Sequence, residues 1–176
     1  MLKNKLGLRD QTELDAFEAL SVAVRAEEPL PAGRFSSTHY RAVHRHLFQD
    51  VYGWAGRYRT VRMTKDQSPF CFPENIAGEM RGLFARLHRA DLLRGKEPKD
   101  FAEEAAGFLA YLNAIHPFRE GNGRTQLTFT ALVATQAGHP FNLSRLEPTR
   151  FLQAMISSFF GDERPLRRQL RDLVIE

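Results

Sequence analysis

The chain has 176 residues, 43% of them hydrophobic and 26% charged, which suits one domain with a buried core and excludes wholesale disorder. Lys and Arg number 25 against 21 Asp and Glu, a net charge of +4 with a pI near 9.5, spread along the chain rather than clustered as a nucleic-acid binder requires. No apolar run reaches about 18 residues, which excludes a transmembrane helix, and Met1–Gly7 carries no apolar signal segment.

The one cysteine, Cys71, cannot form an internal disulfide. With no signal segment, that points to a reducing, cytoplasmic compartment, or to a secreted effector if the chain is a fragment. No repeat or linker divides the sequence, so residues 1–176 are expected to form a single domain.

Helical patterns dominate. Thr12 reads as the N-cap of a first helix with Leu14, Phe17, Leu20 and Val24 on its inner side, ending before Pro29. Ser36, Ser37 or Thr38 caps a second, with Tyr40, Val43, Leu47 and Phe48 inward. Arg57–Thr64 alternates and is rich in β-formers, Asp66–Pro69 reads as a turn, and Phe70–Phe72 as a return strand, so a hairpin is expected over about 57–72. A third helix is predicted from Pro73 to Leu93 on Ile76, Met80, Leu83, Phe84 and Leu87. A fourth follows Lys99 and ends near Ile115, because Pro117 disfavours helical geometry at His116. A fifth starts at Asn122 and stops at Gly138; a sixth spans Pro148–Phe160. In the last, Arg164, Arg167, Arg168 and Arg171 alternate with Leu166, Leu170 and Leu173, the pattern of a solvated face opposite a core face. The expected fold is all-α with one small hairpin. A lone hairpin is marginal in water and must pack on the helices or serve a purpose.

Chemistry concentrates in His116-Pro117-Phe118-Arg119-Glu120-Gly121-Asn122-Gly123-Arg124, between a helix that must end and one that must begin. Gly121 and Gly123 allow a tight turn and a close approach of backbone to ligand. The helix start after them offers unpaired N–H groups and a positive dipole end, a nest for phosphate. Arg124 in the first helical turn is disfavoured by the dipole unless an anion sits between it and the helix start. Glu120 suits Mg²⁺, which takes a carboxylate together with phosphate oxygens. His116 can take a proton near neutral pH. The set describes nucleotidyl or phosphoryl transfer to a hydroxyl. Taken singly, Pro117 and Phe118 are a capped corner, Gly121-Asn122-Gly123 an ordinary turn and Arg124 a surface residue; their conjunction in nine residues is what carries the reading. No Walker A Gly-Lys-Ser/Thr follows, and Gln126 stands where a dinucleotide fingerprint needs its third glycine.

The stretch resembles the Fic-family signature, His-x-Phe-x-Asp/Glu-Gly-Asn-Gly-Arg-x-x-Arg, over residues 116–127. Asn113-Ala114-Ile115, Leu47–Gly56 and Ser68–Pro73 are also similar to bacterial Fic domains, closest to those of toxin–antitoxin pairs and type IV secretion effectors. The resemblance implies adenylylation, the transfer of AMP from ATP to a protein hydroxyl. It makes His116 the base and Glu120 the Mg²⁺ ligand. The backbone of Gly121, Asn122 and Gly123 binds phosphate oxygens, and Arg124 contacts the β-phosphate. The hairpin becomes a flap whose edge, Val61, Arg62, Met63, Thr64 and Lys65, pairs with an extended segment of the target protein.

Two departures stand out. Leu127 replaces the signature's last Arg, which in the family reaches the γ-phosphate. That leaves open a slow enzyme, one with another donor, or a catalytically silent Fic-fold module that binds a nucleotide or a partner protein. No Ser/Thr-x-x-x-Glu-Gly/Asn inhibitory pattern is present, so the resemblance points to a separate antitoxin-type inhibitor or to an unregulated domain.

Overall fold

The computed structural model describes residues 1–174. In chain order it contains α1 (Gln11–Glu27), α2 (Ser37–Phe48), β1 (Thr64–Lys65), β2 (Ser68–Pro69), α3 (Pro73–Arg89), α4 (Pro98–Ile115), α5 (Asn122–Ala137), α6 (Pro148–Phe159) and α7 (Arg164–Leu173). The all-α expectation with one hairpin is met.

Helix α4 is the axis of the molecule and packs against α3, α5, α6 and α7. Most of its circumference is apolar, with Phe101, Ala102, Ala105, Ala106, Leu109 and Leu112 at 1% exposure or less, while Lys99, Asp100, Glu104, Tyr111 and Ala114 remain exposed. Each fully buried leucine contributes roughly 2 kcal/mol. One hydrophobic cluster draws on all seven helices. Helix α2 behaves as its pattern predicts: Ser36 accepts from the His39 N–H, and Tyr40, Val43, Leu47 and Phe48 are buried. Among the described residues no helix is long and apolar enough to cross a membrane.

Three local expectations need correction. Helix α1 is capped by Asp10, which accepts from the Glu13 N–H, rather than by Thr12. Its buried residues are Leu14, Glu18 and Val22, while Leu20 is 66% and Val24 54% exposed. The helix is turned to bring Glu18 inward because two long-range partners, Tyr52 and Arg124, meet its carboxylate there. Helix α3 stops at Arg89, not Leu93, because Asp91, Leu92 and Leu93 all take positive φ in a short turn.

The hairpin is the third correction. Its ladder is two residues long on each side, Thr64 opposite Pro69 and Lys65 opposite Ser68, so Ser68 and Pro69 lie in the return strand rather than the turn. Asp66 (φ 47°) and Gln67 (φ 66°) form the turn, both left-handed as a two-residue hairpin connection requires. Arg57–Met63 and Phe70–Phe72 are not ladder strands. Apart from one bond, the Phe70 N–H to the Met63 carbonyl, their backbone groups are taken up elsewhere: the Arg59 N–H bonds the Pro117 carbonyl and the Cys71 N–H the Ala114 carbonyl. The stems are thereby fastened to the C-terminal end of α4.

Candidate active site

The site is built at the corner where α4 ends and α5 begins. His116 caps α4 in the left-handed conformation (φ 49°, ψ 62°), consistent with Pro117 barring a further helical turn. Gly121 starts α5 at φ 78°, and the bridge between them is braced from inside. The Asn122 side chain accepts from the Phe118 N–H (2.9 Å) and donates to the Phe118 carbonyl (2.8 Å). Phe118 is fully buried, stacked between His44 at 3.7 Å and Tyr40 at 5.5 Å. The Gly56 N–H donates to His44 Nδ1, so the ring's proton sits on Nε2 and is donated to the Glu120 carbonyl at 3.0 Å.

The His116 ring stacks on Phe70 at 4.0 Å, which places the flap's return stem against it. Burial, then the nearby Arg59 charge, pushes its pKa down to about 4; the Asn113 carbonyl opposes this, although Nδ1 makes no well-formed hydrogen bond. The imidazole is therefore neutral at pH 7. Burial also pushes His44 down to about 4. Each ring holds fewer protons folded than unfolded between about pH 4 and 6.5, so stability rises with pH across that window. The contribution is fully present above about 6.5 and is lost as pH falls toward 4. Urea unfolding at pH 7 and pH 5 is expected to show a loss of roughly 1–2 kcal/mol for each ring at the lower pH. Equal stability at the two values would show that the rings are not held neutral.

A cavity of about 530 Å³ opens beside the corner, lined by His116, Arg119, Glu120, Gly121, Asn122, Gly123, Arg124 and Leu127, by Met63 of the flap and by Leu146, Phe151, Leu152 and Met155. The residues singled out in the signature thus meet in one place. The flap residues divide. Met63 lines this cavity, Val61 a separate cleft of about 420 Å³ with Lys3, Arg57 and Arg119, and Lys65 a third beside His116 and Phe70. The Arg62 guanidinium lies 4.6 Å from the centre of the Phe72 ring, and Thr64 is exposed on β1.

Arg124 is not free. Its guanidinium pairs with Glu18, lies 3.7 Å from Glu120 and sits 4.7 Å over the Phe48 ring. The anion that makes a cation tolerable in the first turn of α5 is supplied here by the protein itself. Glu18 also accepts from the Tyr52 hydroxyl. Leu127, one turn further along α5, faces the cavity, as does Gln126, whose buried Oε1 has no partner. Glu120 is half exposed, and its Oε1 accepts from the Gly121 N–H at 2.8 Å. Among the described residues no cluster of three metal-ligating side chains exists. One carboxylate beside a phosphate nest fits a hydrated Mg²⁺ completed by substrate phosphates, not an all-protein cage.

Three residues of the site escaped sequence reasoning: Glu18, His44 and Arg59. His44 falls among the inward positions of α2 and could have been flagged as a polar residue on a core face. Glu18 follows Leu14 by four positions, a weak signal. Arg59 carries none, because its partners are backbone carbonyls, which no side-chain pattern marks, and two of them, Ile115 and His116, lie far along the chain.

Against this geometry, comparison with known proteins is decisive: the family model described as Fic/DOC family matches residues 34–134. The chain belongs to the Fic/DOC family. Its relatives include the probable protein adenylyltransferase y4lH of Sinorhizobium fredii, 51% identical over 99% of this chain and 91% of that protein. The protein adenylyltransferase VbhT of Bartonella schoenbuchensis is 35% identical over 92% of this chain but only 34% of its own length. Among solved Fic-fold structures, BepC of Bartonella tribocorum with bound AMPPNP superposes with a TM-score of 0.88 at 28% identity, covering 99% of this chain and 92% of that one. This Fic domain's signature corner is the stretch from His116 to Leu127 described above.

Proposed function

We propose that this chain is a protein adenylyltransferase that moves AMP from ATP to a Ser, Thr or Tyr hydroxyl of a target protein. The observation that carries the reading is a neutral imidazole, His116, sharing one cavity with the N-terminus of α5, Arg124 and Glu120. The names of the relatives and the AMPPNP bound by BepC support it.

In the proposed reaction the target lies along the flap with its hydroxyl toward His116. A proton on Nδ1, toward the Asn113 carbonyl, leaves Nε2 with the lone pair that accepts the hydroxyl proton. The target oxygen bonds to the α-phosphorus as the bond from that phosphorus to the bridging oxygen of the β-phosphate breaks, and pyrophosphate leaves. The unpaired N–H groups at the start of α5 hold the phosphates, and Arg124 meets the leaving group's charge. Glu120 would hold Mg²⁺, which when bound neutralises phosphate charge. The residues of this chain otherwise work by positioning, the main resource in such transfers.

Leu127 favours a second reading, a weak or silent nucleotide-binding module, because an apolar side chain stands where the family signature has an arginine. One assay separates the two: Mg²⁺ and α-labelled ATP, in parallel with other labelled nucleotides, in bacterial lysate. Leu127→Arg is expected to raise labelling or nucleotide affinity about ten- to a hundred-fold, the worth of one charge-assisted phosphate contact. If wild type and Leu127→Arg both label nothing while calorimetry still detects nucleotide, the module reading replaces the transferase.

A further inference from the structure

We propose that Arg59 is a positioning residue that locks the target-holding flap to the backbone of the catalytic base. The inference deepens the transferase reading and rests on it.

Arg59 is 4% exposed, yet no carboxylate pairs with it among the described residues. Its guanidinium spends its donors on four backbone carbonyls. Two belong to the flap: Nη1 donates to Val61 (2.6 Å), ahead of β1, and Nη2 to Cys71 (2.6 Å), after β2. Two belong to the end of α4: Nε donates to His116 (2.8 Å) and Nη2 to Ile115 (3.2 Å). A fifth bond, from the Arg59 N–H to the Pro117 carbonyl at 2.9 Å, ties its own backbone to the same corner.

The chemistry matches the geometry. Carbonyls at a helix C-terminus lack intrahelical partners and form the negative end of the dipole, so a cation is favourable there. A planar guanidinium has five N–H donors in a fixed fork, so one group can bridge the flap's two stems and the helix end together. A lysine ammonium is a compact point charge on a flexible stem and cannot reproduce that fork. The connection has a functional direction. The flap touches the base twice, through Arg59 on the His116 carbonyl and through Phe70 on the imidazole face. The target's main chain along the flap and the nitrogen that takes its proton are therefore held in one frame. Arg59 does not line the nucleotide cavity, so its loss should leave nucleotide binding alone.

The test uses the full chain carrying Arg59→Lys or Arg59→Met. Calorimetry with a non-hydrolysable ATP analogue and Mg²⁺ is expected to give a dissociation constant within about threefold of wild type. With saturating ATP, and the lysate protein that wild type labels as substrate, the KM for that protein should rise and kcat should fall, each by about tenfold or more. Amide hydrogen exchange at Phe70 and Cys71 should accelerate about tenfold or more in both variants, with α5 unchanged, as expected of local opening. That readout needs no target and remains if the transferase reading fails. If Arg59→Met does not fold, Arg59→Lys decides. Unchanged exchange at Phe70 and Cys71, or a loosened flap with KM and kcat as in wild type, overturns the proposal.

Discussion

His116→Ala is expected to lower transfer of labelled nucleotide to protein by about a hundred- to ten-thousand-fold, the usual worth of a positioned general base. Among the described residues, no other imidazole lines the cavity. His44, buried behind the same corner, has both nitrogens committed, Nδ1 to the Gly56 N–H and Nε2 to the Glu120 carbonyl. Nucleotide binding should survive, because the proposed phosphate cradle is the start of α5, which begins at Asn122 and not at the imidazole. The substitution also removes a stacking partner of Phe70, so a modest drop in thermal midpoint is expected. Labelling by His116→Ala within about tenfold of wild type would remove the imidazole from the mechanism.

Gly121→Ala should be the most damaging single methyl in the site. The residue sits at φ 78°, and a Cβ there would lie 2.3–2.8 Å from three carbons of the Phe48 ring. The left-handed conformation alone costs a non-glycine residue about 1–2 kcal/mol. Phe48 has no room to yield: it is fully buried, stacked on His44 at 4.8 Å and covered by the Arg124 guanidinium. Overpacking of that kind adds about 1–3 kcal/mol. The expected total is about 2–5 kcal/mol, or a fall of roughly 5–15 °C in Tm for a domain of this size. Because the strain enters at the N-cap of α5 and under Arg124, nucleotide affinity should fall as well. Differential scanning calorimetry and nucleotide titration check both, and a thermal midpoint within about 2 °C of wild type would mean that Phe48 moves aside.

The two variants sample different kinds of legibility. The His116 corner can be read from the chain because its cause is local: Pro117 ends one helix, Gly121 opens the next, and the side chains between them are sequence neighbours. The starts of α2, α3, α5 and α6 are legible for the same reason, since caps, prolines and apolar periods act within one or two turns. The clash awaiting a methyl at Gly121 is not legible, because Phe48 arrives from α2.

The same boundary runs through the rest of the molecule. The sequence by itself determined the helical class, the existence of the hairpin, the glycine corner between α4 and α5 and the departure at Leu127. It did not determine which way α1 turns. Apolar spacing favoured Leu20 and Val24, and the winning arrangement buries Glu18 against Arg124, 106 residues away. Nor did it set the length of the hairpin, whose stems, apart from the Phe70–Met63 bond, give their hydrogen bonds to the end of α4 and to Arg59 instead of to each other. A buried carboxylate or guanidinium is tolerable only where partners converge on it, and those partners come together only when distant segments pack. Residue order records the helices and the turns; the company kept by Glu18, His44 and Arg59 was decided in three dimensions.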